Sequence, residues 1–366
     1  MKKILHILPQ FHPGGGMERV VMNYFDNLDN NEFHFDILTH EMNDAAYADR
    51  IRQKGGKVFR FDTPRPGNIG DSANRFRNLL RDGKYDVIHC HMANAAFLYL
   101  RIAQQESVPL RILHSHQDHY SDDSLHALRN IPLILWGKRY ANCRVACSRK
   151  AGDFLFHNEQ YYLVKNGIDL NKFIFDLKKR ANMREKMRLN DDCVLFGQVG
   201  RLVPQKNPLF GIRVFNAYHI INPNSKMLFA GEGTLVSDLE NYIVEHNLEN
   251  EVQLLGNVNY IPELDSALDV LLMPSLYEGL GLSLVEAQAT GLYSFASDVI
   301  PQEAFASEFV IPLSLQKSPE DWASAIQDRL KTNHLNRNEG NAQVALAGFD
   351  ARKSTQKIEE IYTSVQ

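Results

Sequence analysis

The feature that most restricts the fold is a rhythm in which short apolar runs, bounded by polar or glycine-rich turns, alternate with longer segments of helical period. In the first half, strands are expected at Ile4–Leu8, Phe35–Thr39, Lys57–Phe61, Val87–His91, Arg111–Ser115 and Arg144–Cys147. Helices are expected between them at Glu18–Leu28, Ala45–Lys54 and Ser72–Asp82. Strands buried on both faces read as continuous apolar runs, and parallel neighbours need helical crossovers, so this succession predicts a parallel sheet covered on both sides. The polar stretch Asp169–Asp192 interrupts the rhythm and is the expected linker. It resumes with strands at Val194–Val199, Lys226–Ala230, Val252–Leu255, Val270–Met273 and Tyr293–Ala296, and helices at Pro208–Ile221, Leu235–His246 and Leu282–Thr290. The expectation is an α/β chain of two doubly wound domains facing across a cleft, with the ligand beyond the carboxyl ends of the strands.

A length of 366 residues fits two domains of ordinary size, and 44% hydrophobic with 23% charged residues is a globular composition. The net charge of −4, without blocks of Lys or Arg, argues against a nucleic-acid partner. No apolar run approaches the roughly 18 residues of a membrane span, and the opening MKKILHIL is too short for a signal-peptide core, so a cytoplasmic location is expected. The four cysteines, Cys90, Cys143, Cys147 and Cys193, show no metal spacing and read as small buried hydrophobes.

Three segments carry candidate chemistry. Pro274–Leu292 follows an apolar strand, turns at Gly279 and Gly281 and enters a helix, placing Glu278 and Glu286 on either side of the turn. Helix amino-terminal N–H groups attract anions, and the carboxylates suit hydroxyl-rich groups such as ribose or sugar. Ser283 with Glu286 also matches a capping box, which needs no ligand. Val199–Asn207 puts Arg201 and Lys206 on one loop after a strand, where two cations can grip a diphosphate or simply face solvent. Pro9–Arg19 carries Gly14, Gly15 and Gly16 directly after the first strand, allowing close backbone approach to a ligand, although Arg19 stands where a dinucleotide fingerprint needs glycine.

Histidines gather at strand ends: His89 and His91, then His114, His116 and His119. They lack the cysteine partners and carboxylates of a zinc centre, and the chain contains no Asp-x-Asp, so no metal and no cofactor are expected.

Taken together, these residues resemble glycosyltransferase family 4: the loop Gly14–Gly16, His116, Asn166–Asp169 near the linker, Gly200–Lys206 and the Glu278/Glu286 pair. The resemblance spans almost the whole chain and is nearest the capsule and exopolysaccharide branch. It implies a GT-B fold of two Rossmann-like domains: residues 1–168 on the acceptor side, rejoined by 349–366, and residues 169–348 binding a nucleotide sugar. It further implies a metal-independent, retaining hexosyl transfer from a nucleotide-diphosphate sugar, UDP by preference, to a saccharide or polyprenyl-linked acceptor. In that reading Arg201 and Lys206 stabilise the leaving diphosphate, Glu286 binds ribose, and Glu278 and His116 face the donor sugar. Gly15 or Gly16, Asn166, Gly281, Leu282 and Ser283 complete the donor site. Two departures bear on the sugar pocket: Leu280 replaces an aromatic, and Ser297–Glu303 replaces a glycine pair.

Two other classes stay open. Rossmann-like halves also fit an NAD-dependent oxidoreductase, for which Asp36 lies near the required distance but inside its strand. A non-catalytic glycosyltransferase-like subunit is the other. Finally, Leu125–Arg144 combines Leu, Ile and Trp136 with Arg129, Lys138, Arg139 and Arg144, and is expected either to give weak peripheral contact with the inner membrane face or to be a core helix interrupted by Pro132.

Overall fold

A computed structural model describes residues 1–116, 124–332 and 335–364, without the side chains of 124–129. It divides into two compact units, one of Met1–Gly167 with Ala351–Gln366 and one of Ile168–Asp350.

In the first unit the described strands are β1 (Lys2–Gln10), β2 (Phe33–Glu41), β3 (Val58–Arg60), β4 (Val87–Cys90), β5 (Leu110–Ser115), β6 (Cys143–Ala146) and β7 (Tyr162–Leu163). They form one sheet in the order β3-β2-β1-β4-β5-β6-β7, with every pairing parallel. The order reverses between β1 and β4, where His6 pairs in register with His89. The helix Ala351–Thr363 packs on the helix Gly16–Asn27 of this unit, burying Ile358, Ile361 and Tyr362. Its apolar positions recur at helical spacing, which gives it one face to bury.

The second unit holds β8 (Val194–Val199), β9 (Ser225–Ala230), β10 (Val252–Gly256), β11 (Val270–Met273), β12 (Tyr293–Ser297) and β13 (Val310–Leu313). Its sheet, also parallel throughout, runs β10-β9-β8-β11-β12-β13 and reverses between β8 and β11. Phe196, Phe215, Met227, Phe229, Phe295 and Trp322 fill its core.

Three local expectations change. The stretch read as a linker contains the helix Leu177–Lys186, whose Arg184 is only 3% exposed. Arg184 and Arg180 both grip Asp269, at 3.1 and 2.6 Å, and donate to the carbonyl of Ala267. A charged sequence reads as solvated, but here the guanidinium donors satisfy buried carbonyls. Pro132 lies inside the helix Ser124–Gly137 rather than ending it. The strands Tyr162–Leu163 and Val310–Leu313 are too short or too broken by proline to have been anticipated. All four cysteines are free and buried. Among the described residues no helix is long and apolar enough to cross a membrane.

Candidate functional site

In the second unit the sheet reversal sets the loops after β8 and β11 side by side, because those strands are neighbours and both run in the same direction. The two loops are stitched together: Leu276 N donates to Gln205 O at 2.8 Å, and Gln205 Nε2 to Tyr277 O at 3.1 Å. Gln198, within β8, donates to the Lys206 carbonyl at 2.8 Å and holds the base of the first loop. This framework places Lys206 Nζ 2.5 Å from Glu278 Oε1, an ion pair with side-chain exposures of 16% and 6%. Arg201 extends along the same loop, reaches Gln205 Oε1 at 3.3 Å and stays exposed.

The helix Leu282–Ala289 starts immediately after the second loop. Gly281 caps it with φ +81°, a left-handed conformation that favours glycine, and as the cap residue it supplies no side-chain bond to the helix start. Ser283 therefore lies inside the first turn, and the capping box that the sequence allowed is not formed. Leu282 and Glu286 are buried, and Ser283 is half-buried. A third loop, Gly231–Gly233 after β9, joins the first through Glu232 O accepting from Leu202 N at 2.8 Å. Its signal in the sequence is the Gly-x-Gly of Gly231–Gly233 directly after an apolar strand.

The first unit offers a different chemistry at its own sheet reversal. Gly15 precedes the helix Gly16–Asn27, and the Glu18 carboxylate fills the space that a methyl group built on Gly15 would take. The Glu18 carboxylate thus folds back over the loop, next to Gly15 and the Gly16 that starts the helix. Asn166 is buried close to the end of this unit's first segment, and its Oδ1 has no hydrogen-bond partner among the described residues.

His6, His89, His91 and His114 are buried, while His116 at the end of β5 is half-buried. The rings stack at centroid distances from 4.0 Å for His114 and His116 to 5.3 Å for His6 and His91. Burial lowers His6 and His116 to about 3 and carries His89, His91 and His114 well below the ordinary range. Ring nitrogens of His6, His89 and His91, and of His91, His114 and His116, come within 4.8 Å of one another. Most of those nitrogens already bond each other or Tyr362. His119 lies outside the described residues.

Asp36, the residue an NAD site would have used, is committed elsewhere. It accepts from Tyr85 Oη at 2.7 Å and from Lys57 N at 2.6 Å, and it is buried within β2.

Two parallel doubly wound units with charged loops at a sheet reversal define a GT-B architecture. The fold superposes on a crystal structure of Anabaena HepE in complex with UDP and glucose with a TM-score of 0.80, at 20% identity over the full length of both chains. It also matches WaaG, a glycosyltransferase of lipopolysaccharide biosynthesis, with a TM-score of 0.74 at 16% identity, covering 99% of this chain and all of that one. The family model described as Glycosyltransferase Family 4 matches residues 14–172, and Glycosyl transferases group 1 matches residues 179–343. The chain is 30% identical to EpsF of Bacillus subtilis, which is named a putative glycosyltransferase, over 99% of its own length and 96% of that protein. A UDP-Gal:α-D-GlcNAc-diphosphoundecaprenol α-1,3-galactosyltransferase of Escherichia coli is 29% identical over 95% of this chain and 93% of the relative. The chain belongs to glycosyltransferase family 4 and is a glycosyltransferase.

Proposed function

We propose that this enzyme transfers a hexosyl group, with retention, from a UDP-sugar to a saccharide or polyprenyl-linked acceptor in surface polysaccharide synthesis. The observation that carries this reading is the meeting of Lys206, Arg201, Glu278 and the start of the Leu282–Ala289 helix on two stitched loops. Cations and helix N–H groups suit the charge that develops on a leaving diphosphate, and fixed donors of this kind supply much of the rate enhancement in many such reactions. Support for the pathway comes from the relatives' names: CapH of Staphylococcus aureus, 23% identical over all of this chain and 99% of that protein, acts in capsular polysaccharide biosynthesis, and the E. coli relative takes a diphosphoundecaprenol acceptor.

In this reading Arg201 and Lys206 hold the diphosphate, Glu286 accepts from the ribose hydroxyls, and Glu278 and His116 contact the sugar. Gly15 or Gly16, Asn166, Gly281, Leu282 and Ser283 frame the donor. The sugar C1–O bond to phosphate breaks as the acceptor oxygen attacks the same face, and the acceptor proton passes to the departing phosphate oxygen. Lys206 must then be shared between Glu278 and the diphosphate, so Glu278 orients the lysine before the donor arrives. No metal is needed, because the two cations neutralise the leaving group. The domain roles are acceptor side for residues 1–168 with 349–366 and donor side for 169–348, with the enzyme in the cytoplasm at the inner membrane face.

The test is a thermal-shift screen of nucleotide sugars, followed by hydrolysis or transfer assays with and without EDTA. A ligand at 100 times its Kd stabilises by about 2.7 kcal/mol. The expected result is a shift with a UDP-sugar and turnover that survives chelation. Stabilisation by NAD instead, or activity lost to EDTA and restored by Mg²⁺ or Mn²⁺, would overturn the corresponding part.

A further inference from the structure

Five histidines of the first unit and one tyrosine from the helix Ala351–Thr363 form an unbroken sequence of contacts. His116 Nε2 lies 2.8 Å from His91 Nδ1, His91 Nε2 lies 3.0 Å from His6 Nδ1, and His6 Nε2 lies 3.1 Å from Tyr362 Oη. Tyr362 Oη continues to His89 Nδ1 at 2.7 Å, and His89 Nε2 to His114 Nδ1 at 3.0 Å. Only the two outer nitrogens, His116 Nδ1 and His114 Nε2, have no partner among the described residues.

The proton inventory of this sequence is closed. Burial keeps the rings neutral at pH 7. A neutral imidazole carries one N–H and one bare nitrogen, and the phenol carries one O–H. Five rings and one phenol hold six protons for the five contacts just described. A contact without a proton sets two lone pairs against each other, and one with two protons sets two N–H groups against each other. Each contact therefore holds one, and the sixth sits at one end. Only two arrangements satisfy this, and they differ in every tautomer: all five rings protonated on Nδ1, or all five on Nε2.

The two ends are not equivalent. His114 is 1% exposed, so a surplus N–H there would be a buried donor with no acceptor among the described residues. Orphaned buried N–H groups are rarer in folded proteins than under-satisfied acceptors. His116 lies at the end of β5 and keeps partial exposure, so a donor there can reach water or a ligand.

We propose that His91, His6, Tyr362, His89 and His114 are positioning residues that lock His116 as the Nδ1–H tautomer, so that His116 meets its ligand as a neutral hydrogen-bond donor with Nε2 held by His91. The identification of that ligand as the donor sugar rests on the function proposed above. The lock itself belongs to the unliganded protein. It also ties the C-terminal helix to this site through one hydroxyl group.

The experiment is a long-range nitrogen–proton correlation on ¹⁵N-histidine-labelled full-length protein at pH 7, which reads the tautomer of each ring without substitution. Five Nδ1–H rings are expected for His6, His89, His91, His114 and His116. Five Nε2–H rings, mixed tautomers or an imidazolium among them would overturn the proposal. Two variants add a functional readout. His91→Leu removes the donor to His116 and should give mixed tautomers there, with turnover of the UDP-sugar reduced about tenfold, the loss of roughly one hydrogen bond. His91→Asn keeps an N–H where Nδ1 was and should retain the His116 tautomer and most of the turnover. UDP affinity should be unchanged in both. Equal losses in the two variants would overturn the lock. If the tautomers are as expected but no UDP-sugar binds or turns over, the functional reading alone fails.

Discussion

The two units share one strand order, to which the first adds a seventh strand, and put opposite chemistry at its reversal point. In the second unit the reversal carries charge: Arg201 exposed, Lys206 and Glu278 paired and mostly covered, on loops held by backbone and glutamine hydrogen bonds. In the first it carries five neutral imidazoles and a phenol, stacked and bonded to each other. Charges are costly to bury unless paired, so Arg201 stays exposed on its loop and the mostly covered Lys206 is paired with Glu278. Neutral rings can go into the sheet face itself, provided that each donor finds an acceptor. The same scaffold thus carries a charged cluster at one reversal and an uncharged one at the other.

The sharpest way to break this contrast is at Lys206. Lys206→Ala should lower transfer by about 10² to 10³-fold if the lysine meets developing charge on the leaving group. Arg201→Ala should weaken UDP binding about ten- to a hundredfold while far-ultraviolet circular dichroism stays unchanged. Transfer left intact in Lys206→Ala, together with UDP affinity left intact by calorimetry in Arg201→Ala, would remove the charged site from the mechanism.

Acid sharpens the contrast from the other side. His6 and His116 titrate at about 3 in the folded unit, against about 6.5 when unfolded. Between these values the unfolded chain binds more protons, so stability rises with pH, is complete above the unfolded value and is lost as pH falls. Each such histidine contributes a slope of up to about 1.4 kcal/mol per pH unit. The chain has two tryptophans, Trp136 in the first unit and Trp322 in the second. Single-tryptophan variants, Trp136→Phe and Trp322→Phe, let fluorescence follow each unit during urea unfolding. From pH 7 to pH 5 the midpoint read by Trp136 should fall further than that read by Trp322; equal shifts would mean that the imidazoles do not set the difference.

The smallest expected effect lies on the surface of the first unit. Trp136 is 40% exposed beside exposed Leu135, with Arg101 over its ring and Arg139 exposed nearby. Lys138 and Arg144 are both paired with Glu159, so less positive charge is free than composition suggested, and Arg129 lies outside the described side chains. Binding to anionic vesicles should be weak and salt-sensitive, at about 1 kcal/mol per basic residue. It should fall when Lys138 and Arg139 are both changed to Ala. Equal co-sedimentation of that variant and the unaltered protein would assign the segment to structure alone.

Local residue order determined much of this protein. Period and burial signals read directly as strands from Ile4 to Ala296 and as helices such as Pro208–Ile221, because a buried strand and an amphipathic helix each impose a short-range pattern. The spacing of Gly200, Arg201 and Lys206 and of Glu278 and Glu286 made the charged loops legible, since a loop after a strand has a known place in a parallel sheet. Tertiary structure alone decided the rest. Arg184 reads as surface until Asp269 and the carbonyl of Ala267 close around it. Ser283 and Glu286 fit a cap until Gly281 takes the left-handed position. The histidines look like separate pairs on separate strands until His6 meets His89 across the reversal and Tyr362, 273 residues from His89, supplies the hydroxyl that joins them. A hydrogen-bonded chain needs every member within about 3 Å at once, and only packing distant segments against one sheet face brings that about.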